Sequence, residues 1–148
     1  MIIKSFEINK IKINENKFIL LYGKNEGLKN DAINNLLKNK MQIRKYEEKE
    51  ILHNPETFIE NTISQSLFEN EKVIIIKRVT DKLIKIIEEV SAKDIKDVTI
   101  IFNAETLEKK SKIRSLFEKD KKYVCIAFYP DTDQVLSKLA NNILKKEN

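Results

Sequence analysis

The stretch KFILLYGKNEGLKNDAINNLL, residues 17–37, decides how the rest of the chain is read. Residues 17–22 (KFILLY) are a short unbroken apolar run that stops at Gly23, the pattern of a strand covered on both faces. After residues 23–26, Leu28, Ala32, Ile33, Leu36 and Leu37 recur at helical spacing, which predicts a helix over 27–39. A doubly covered strand followed at once by a helix is the repeating unit of a parallel sheet with helices on its faces.

The alternation continues outward from that stretch. Residues 41–46 alternate in polarity and predict a weaker strand nearer an edge. Asn54-Pro55 reads as a helix start, with Asn as N-cap and Pro at the first helical position. Phe58, Ile59, Ile63 and Leu67 mark its apolar stripe. Lys72–Lys77 (KVIIIK) is a second buried strand, and Thr80 caps a helix carrying Leu83, Ile84, Ile86, Ile87 and Val90. Residues 98–102 are a strand, Ile113, Leu116 and Phe117 lie on a helix, and residues 123–128 are the last strand. Asp131 and Gln134 have capping-box spacing and open a final helix with Val135, Leu136, Leu139, Ala140, Ile143 and Leu144. Five strands, each followed by a helix, predict one α/β domain: an open parallel five-stranded sheet with helices on both faces and right-handed crossovers. Residues 1–16 read equally as a short helix or an edge strand.

Composition removes many functions. The 148 residues are 41% hydrophobic and 34% charged, with only two Gly and two Pro, so linker-like and Pro-rich classes are excluded. No apolar run reaches the ~18–20 residues of a membrane span, and residues 1–12 lack a signal-peptide pattern. One cysteine makes no internal disulfide, so the reducing cytoplasm is the expected compartment. One His and one Cys cannot build a His/Cys zinc cluster. A catalytic triad would have to use His53, which reads as a loop histidine, and Cys125 reads as a buried strand thiol. No catalytic residue, metal site or cofactor is expected.

The net charge of +5 comes from 28 basic and 23 acidic residues. Of the basic residues 25 are Lys, alongside abundant Ile and Asn, the joint excess an AT-rich genome produces without selection for function. Residues 109–122 hold seven basic side chains against Glu118 and Asp120. Lys109, Lys110, Lys112 and Arg114 are therefore candidates to face DNA. A solvated helix face explains them more simply, because no aromatic alternates with the lysines to stack bases.

In an open α/β sheet ligands gather at the strand C-termini. A phosphate loop there needs G-x-x-x-x-G-K-[ST], with glycines for close backbone approach, Lys for charge and a hydroxyl for Mg²⁺. Here the loop holds Gly23, Lys24, Gly27 and Lys29. Counting from Gly23, the second glycine position is Leu28, the lysine is Lys29 and the hydroxyl position is Asn30. One glycine and the hydroxyl are missing, so the loop is degenerate and not expected to function. The strand ends offer Lys77-Arg78 and Asn103-Ala104 where carboxylates would hold Mg²⁺. Asp131 and Asp133 are read as capping, and Glu47, Glu48 and Glu50 as solvated.

Gln65-Ser66-Leu67-Phe68-Glu69 is the remaining unusual segment. Leu67 extends the Ile59/Ile63 stripe, whereas Phe68 is rotated about 100° from it. Two readings stand on the residues alone: core packing, or an exposed Leu-Phe anchor for a partner's pocket.

Taken in order, LLYGKNEGLKND, QSLFE, KVIIIKR and VTIIFNAETLEKKSKIRSLFE resemble the N-terminal domain of the delta subunit of bacterial DNA polymerase III, over roughly residues 17–147. The resemblance implies an AAA+-type fold that neither binds nor hydrolyses ATP, within the clamp loader of a DNA-directed DNA polymerase. It implies that the segment matching Gln65, Ser66, Leu67 and Phe68 binds the sliding clamp (the beta subunit) and helps hold its ring open for loading onto primed DNA. The other implied partners are the gamma/tau and delta-prime subunits, with DNA met indirectly through the loader and no membrane. Family members continue into a lid and a helical collar, so this chain is expected to be one domain of such a subunit. A delta-prime-like subunit, which typically carries zinc-binding cysteines, and a basic DNA-binding module are the alternatives. An active P-loop nucleotidase is disfavoured by the broken loop.

Overall fold

The computed structural model describes residues 1–13, 15–37, 42–65 and 71–129. Six strands, β1 (Ile2–Lys4), β2 (Phe18–Tyr22), β3 (Gln42–Glu47), β4 (Lys72–Lys77), β5 (Val98–Ala104) and β6 (Tyr123–Ala127), form one all-parallel sheet in the order β1-β6-β2-β5-β4-β3. Among the described residues five helices, α1 (Glu26–Leu36), α2 (Glu48–His53), α3 (Pro55–Gln65), α4 (Ile84–Ala92) and α5 (Lys112–Lys119), flank it, with 3-10 turns at Ser5–Lys10 and Asp81–Leu83.

The strand order fixes which face each connection covers. The links β1 to β2 and β2 to β3 step one way along the sheet, and all the others step back. A right-handed crossover then sends the two sets to opposite faces. The core divides accordingly, because alternate side chains of a strand point to opposite faces. Ile19, Leu21, Val73, Ile75 and Ile101 pack with Ala32, Ile33 and Leu36 of α1. Phe18, Leu20, Ile74, Ile76 and Phe102 pack with Leu83, Ile87, Val90 and Phe117 on the other side. Every residue of β2 and β5 is buried; β2 accordingly reads as an unbroken apolar run, whereas β5 also buries the polar Thr99 and Asn103.

The sheet has six strands where the sequence predicted five. Residues 2–10 hold both alternatives at once: β1 pairs along the outer edge of β6, with Ile2 opposite Cys125, and the 3-10 turn follows. Helix α2 was not foreseen, because its acidic start reads as solvated loop. His53 is the exposed last residue of α2, not a loop residue. In α3 the deepest positions are Phe58 and Thr62, whose hydroxyl is satisfied by the Phe58 carbonyl at 2.9 Å, while Ile59 and Ile63 are half-buried. The final helix predicted from Asp131 lies outside the described residues. No helix among the described residues is long and apolar enough to cross a membrane.

Candidate functional site

Strands β2 and β5 are neighbours, yet the helices that follow them turn to opposite faces. This leaves a crevice at their C-terminal ends, the usual ligand position in an open α/β sheet. The crevice holds about 390 Å³ and is lined by residues of both signs: Glu26, Glu47 and Glu105 against Lys77 and Arg78, with Asn30 and Asn103 between.

Gly23 leaves β2 with φ +134°, and a Cβ there would lie 1.9 Å from the carbonyl oxygen of Phe128. Its N–H donates to the Glu105 carbonyl at 3.1 Å, and the Phe128 N–H donates to the Tyr22 carbonyl at 2.7 Å. The glycine is therefore required by the close passage of the chain after β6. The side chain of Asn25 caps α1 by accepting from the Leu28 N–H at 3.1 Å. Lys24 is exposed, and Gly27 is an ordinary helical residue whose added Cβ would meet only the Asn25 side-chain oxygen at 3.6 Å.

Lys29 occupies the lysine position of the degenerate loop and is fully buried. Its Nζ donates to the Ala104 carbonyl oxygen at 2.8 Å and to Glu26 Oε1 at 2.6 Å. The ammonium that would meet a phosphate is thus closed onto the wall of its own crevice. Beside it the chain turns at Arg78, whose left-handed backbone (φ 58°) precedes the Val79 N–H bond to the Asn103 carbonyl at 3.1 Å. Among the described residues no group of three or more His, Cys, Asp or Glu side chains is placed to hold a metal ion.

The four basic candidates do not share one face. Lys109 and Lys110 stand exposed in the turn before α5, and Lys112 is exposed at its start. Arg114 turns inward: its side chain is 16% exposed, pairs with Glu118 at 2.7 Å, donates to the Leu107 carbonyl at 3.0 Å and lies 5.1 Å over the Tyr22 ring. Gln65 closes α3, and Ser66, Leu67 and Phe68 lie outside the described residues.

Two carboxylates that the sequence reading passed over tie elements together. Glu48, read as solvated, is buried and accepts from the Thr80 N–H at 2.7 Å and from its hydroxyl. Ile51, three residues on and buried, was the only hint of this in the sequence. Asp81 accepts from the Ser111 hydroxyl at 2.8 Å and the Ile113 N–H at 3.0 Å, and so caps α5 from a distant turn. Cys125 is buried as expected, and burial pushes its thiol up to about 12, which leaves it unreactive. No protein-family model matches the chain, and no curated protein matches it.

Proposed function

We propose that this chain is the clamp-binding domain of a delta-type clamp-loader subunit, which engages the sliding clamp without binding or hydrolysing ATP. The observation that carries this reading is the burial of Lys29 against Ala104 and Glu26. A domain with a ligand crevice at its switch point has filled the phosphate-binding position with its own backbone and side chains. What remains for such a domain is to bind partners, and the resemblance of residues 17–147 supplies the partner: the clamp, contacted through Gln65, Ser66, Leu67 and Phe68. On this reading the protein works in the cytoplasm beside gamma/tau and delta-prime subunits and meets DNA through the assembled loader.

The experiment is surface plasmon resonance against the sliding clamp of the same organism. The expected result is saturable binding that ATP and Mg²⁺ leave unchanged. Failure to bind the clamp, with the protein shown to be folded, would overturn the proposal.

A further inference from the structure

A groove of about 840 Å³ runs between α4 and α5. Its floor is apolar: Ile84 and Leu116 are half-buried and pack on the edge of the core. Its rim is basic, with Lys110 and Lys112 at the start of α5 and Lys119, Lys121 and Lys122 at its end. Lys110 reaches Glu108 at 3.3 Å, and the other four form no ion pair among the described residues. Besides Glu108, the carboxylates among the described lining residues are Glu88 and Asp120, and Asp120 accepts from the Lys122 backbone N–H at 2.9 Å.

On a solvated face alone these lysines would need no ligand. Here they ring an apolar floor, where their mutual repulsion favours an anionic occupant, and the chemistry of the groove selects which kind. Single-stranded nucleic acid is held by aromatic stacking together with cations, and among the described residues no aromatic lines this groove. Arginine forks suit phosphate best, and the one arginine nearby, Arg114, is turned inward onto Glu118. A duplex backbone would use the lysines but make no contact of its own kind with the apolar surface that Ile84 and Leu116 leave exposed. A helical segment with aliphatic residues on one side and carboxylates on the other uses both parts of the groove.

We propose that the α4–α5 groove docks an acidic amphipathic segment of a partner protein, aliphatic side chains on Ile84 and Leu116 and carboxylates among the lysines of α5. The proposal rests on residues other than Gln65–Phe68 and does not depend on the clamp reading.

The test is selection from a displayed library of random peptides on the intact protein, followed by titration of a synthetic peptide of the enriched sequence. Enriched peptides should carry aliphatic residues at helical spacing flanked by Asp and Glu. Binding should weaken with added salt and fall at least ~10-fold in the combined variant Lys112→Gln/Lys119→Gln/Lys122→Gln. Should that variant melt early, Lys121→Glu, at an exposed turn position, gives the same readout. An enriched sequence without acidic residues, equal binding to the variants, or displacement of the peptide by an oligonucleotide that binds more tightly would each overturn the proposal.

Discussion

The buried ammonium of Lys29 donates a 2.8 Å hydrogen bond to the carbonyl oxygen of Ala104, joining α1 to the last residue of β5. An isolated buried charge is strongly unfavourable unless paired and hydrogen-bonded. Here the second partner is Glu26, itself 59% exposed, so the charge is neutralised at the mouth of the crevice. Lys29 is therefore a strut of the fold, and a phosphate would have to break both contacts to recruit it.

Replacing Lys29 by Met keeps most of the stem and removes the ammonium. The Ala104 carbonyl loses a buried donor, which costs about 1–3 kcal/mol. The exposed Glu26 adds little, because solvent screens its share of the pair. Urea unfolding should show a lower midpoint with an unchanged slope. A Lys29→Met protein as stable as the parent would show that the bond is incidental.

Nucleotide should have no effect on the parent protein. A ligand that binds only the native state stabilises it by about 2.7 kcal/mol at a hundredfold excess over its dissociation constant. Thermal melts with and without millimolar ATP and Mg²⁺ should superimpose. A rise in melting temperature that Lys29→Met abolishes would restore the loop to function.

Legibility in the sequence followed burial. Strand β4 was read at its observed limits, Lys72–Lys77, because covering both faces leaves an unbroken apolar run. Strand β1 was not, since three residues carry no period and Ile2 is 65% exposed; pairing with β6 makes it a strand. Gly23 read as a turn residue, but the carbonyl of Phe128 that demands it lies more than a hundred residues away. Lys29 was one lysine among many, and its charge outweighed the spacing to Ala32 and Ile33 that puts it on the buried face of α1. Glu48 looked solvated because its partner Thr80 is distant in sequence.

The two glycines of the degenerate loop should respond oppositely to alanine. At Gly23 the φ of +134° and the 1.9 Å approach to backbone leave a Cβ no room. The conformational strain alone is of order 1–3 kcal/mol, and displacement of the chain after β6 adds to it. At Gly27, in the first turn of α1, a Cβ would make only an ordinary 3.6 Å contact with the Asn25 side-chain oxygen, so alanine should stabilise by up to about 1 kcal/mol. Equal effects at the two positions, measured by urea unfolding, would refute this assignment of roles.

Asp81 should impose an acid dependence on stability. Burial alone would raise its carboxyl, but the Ile113 N–H, the Ser111 hydroxyl and the Lys112 N–H hold it below the usual carboxylate value. A folded value below the unfolded one gives stabilisation that is complete above the ordinary carboxylate range and is lost as pH falls through the folded value. Asp81→Asn should lower stability at neutral pH, and its gap to the parent should close as the solution is acidified. A gap that stays constant through the acid range would mean that charge at Asp81 does not cap α5.

The clamp contact makes the sharpest demand on the proposed function. A Leu-Phe pair seated in an apolar pocket gains about 1.5–3 kcal/mol per side chain from burial. Because about 1.4 kcal/mol is tenfold in affinity, Leu67→Ala/Phe68→Ala should weaken clamp binding by ~100-fold or more. Stability separates this from core packing, where the double truncation would cost about 4 kcal/mol or more. By sequence spacing Leu67 continues the row of Ile59 and Ile63, both half-buried, whereas Phe68 falls off that row. Phe68→Ala should therefore reduce affinity at an unchanged melting temperature, while Leu67→Ala lowers both. If the folded double variant keeps full affinity, Leu67 and Phe68 are not the contact; if the parent never binds the clamp, the delta-type reading itself fails.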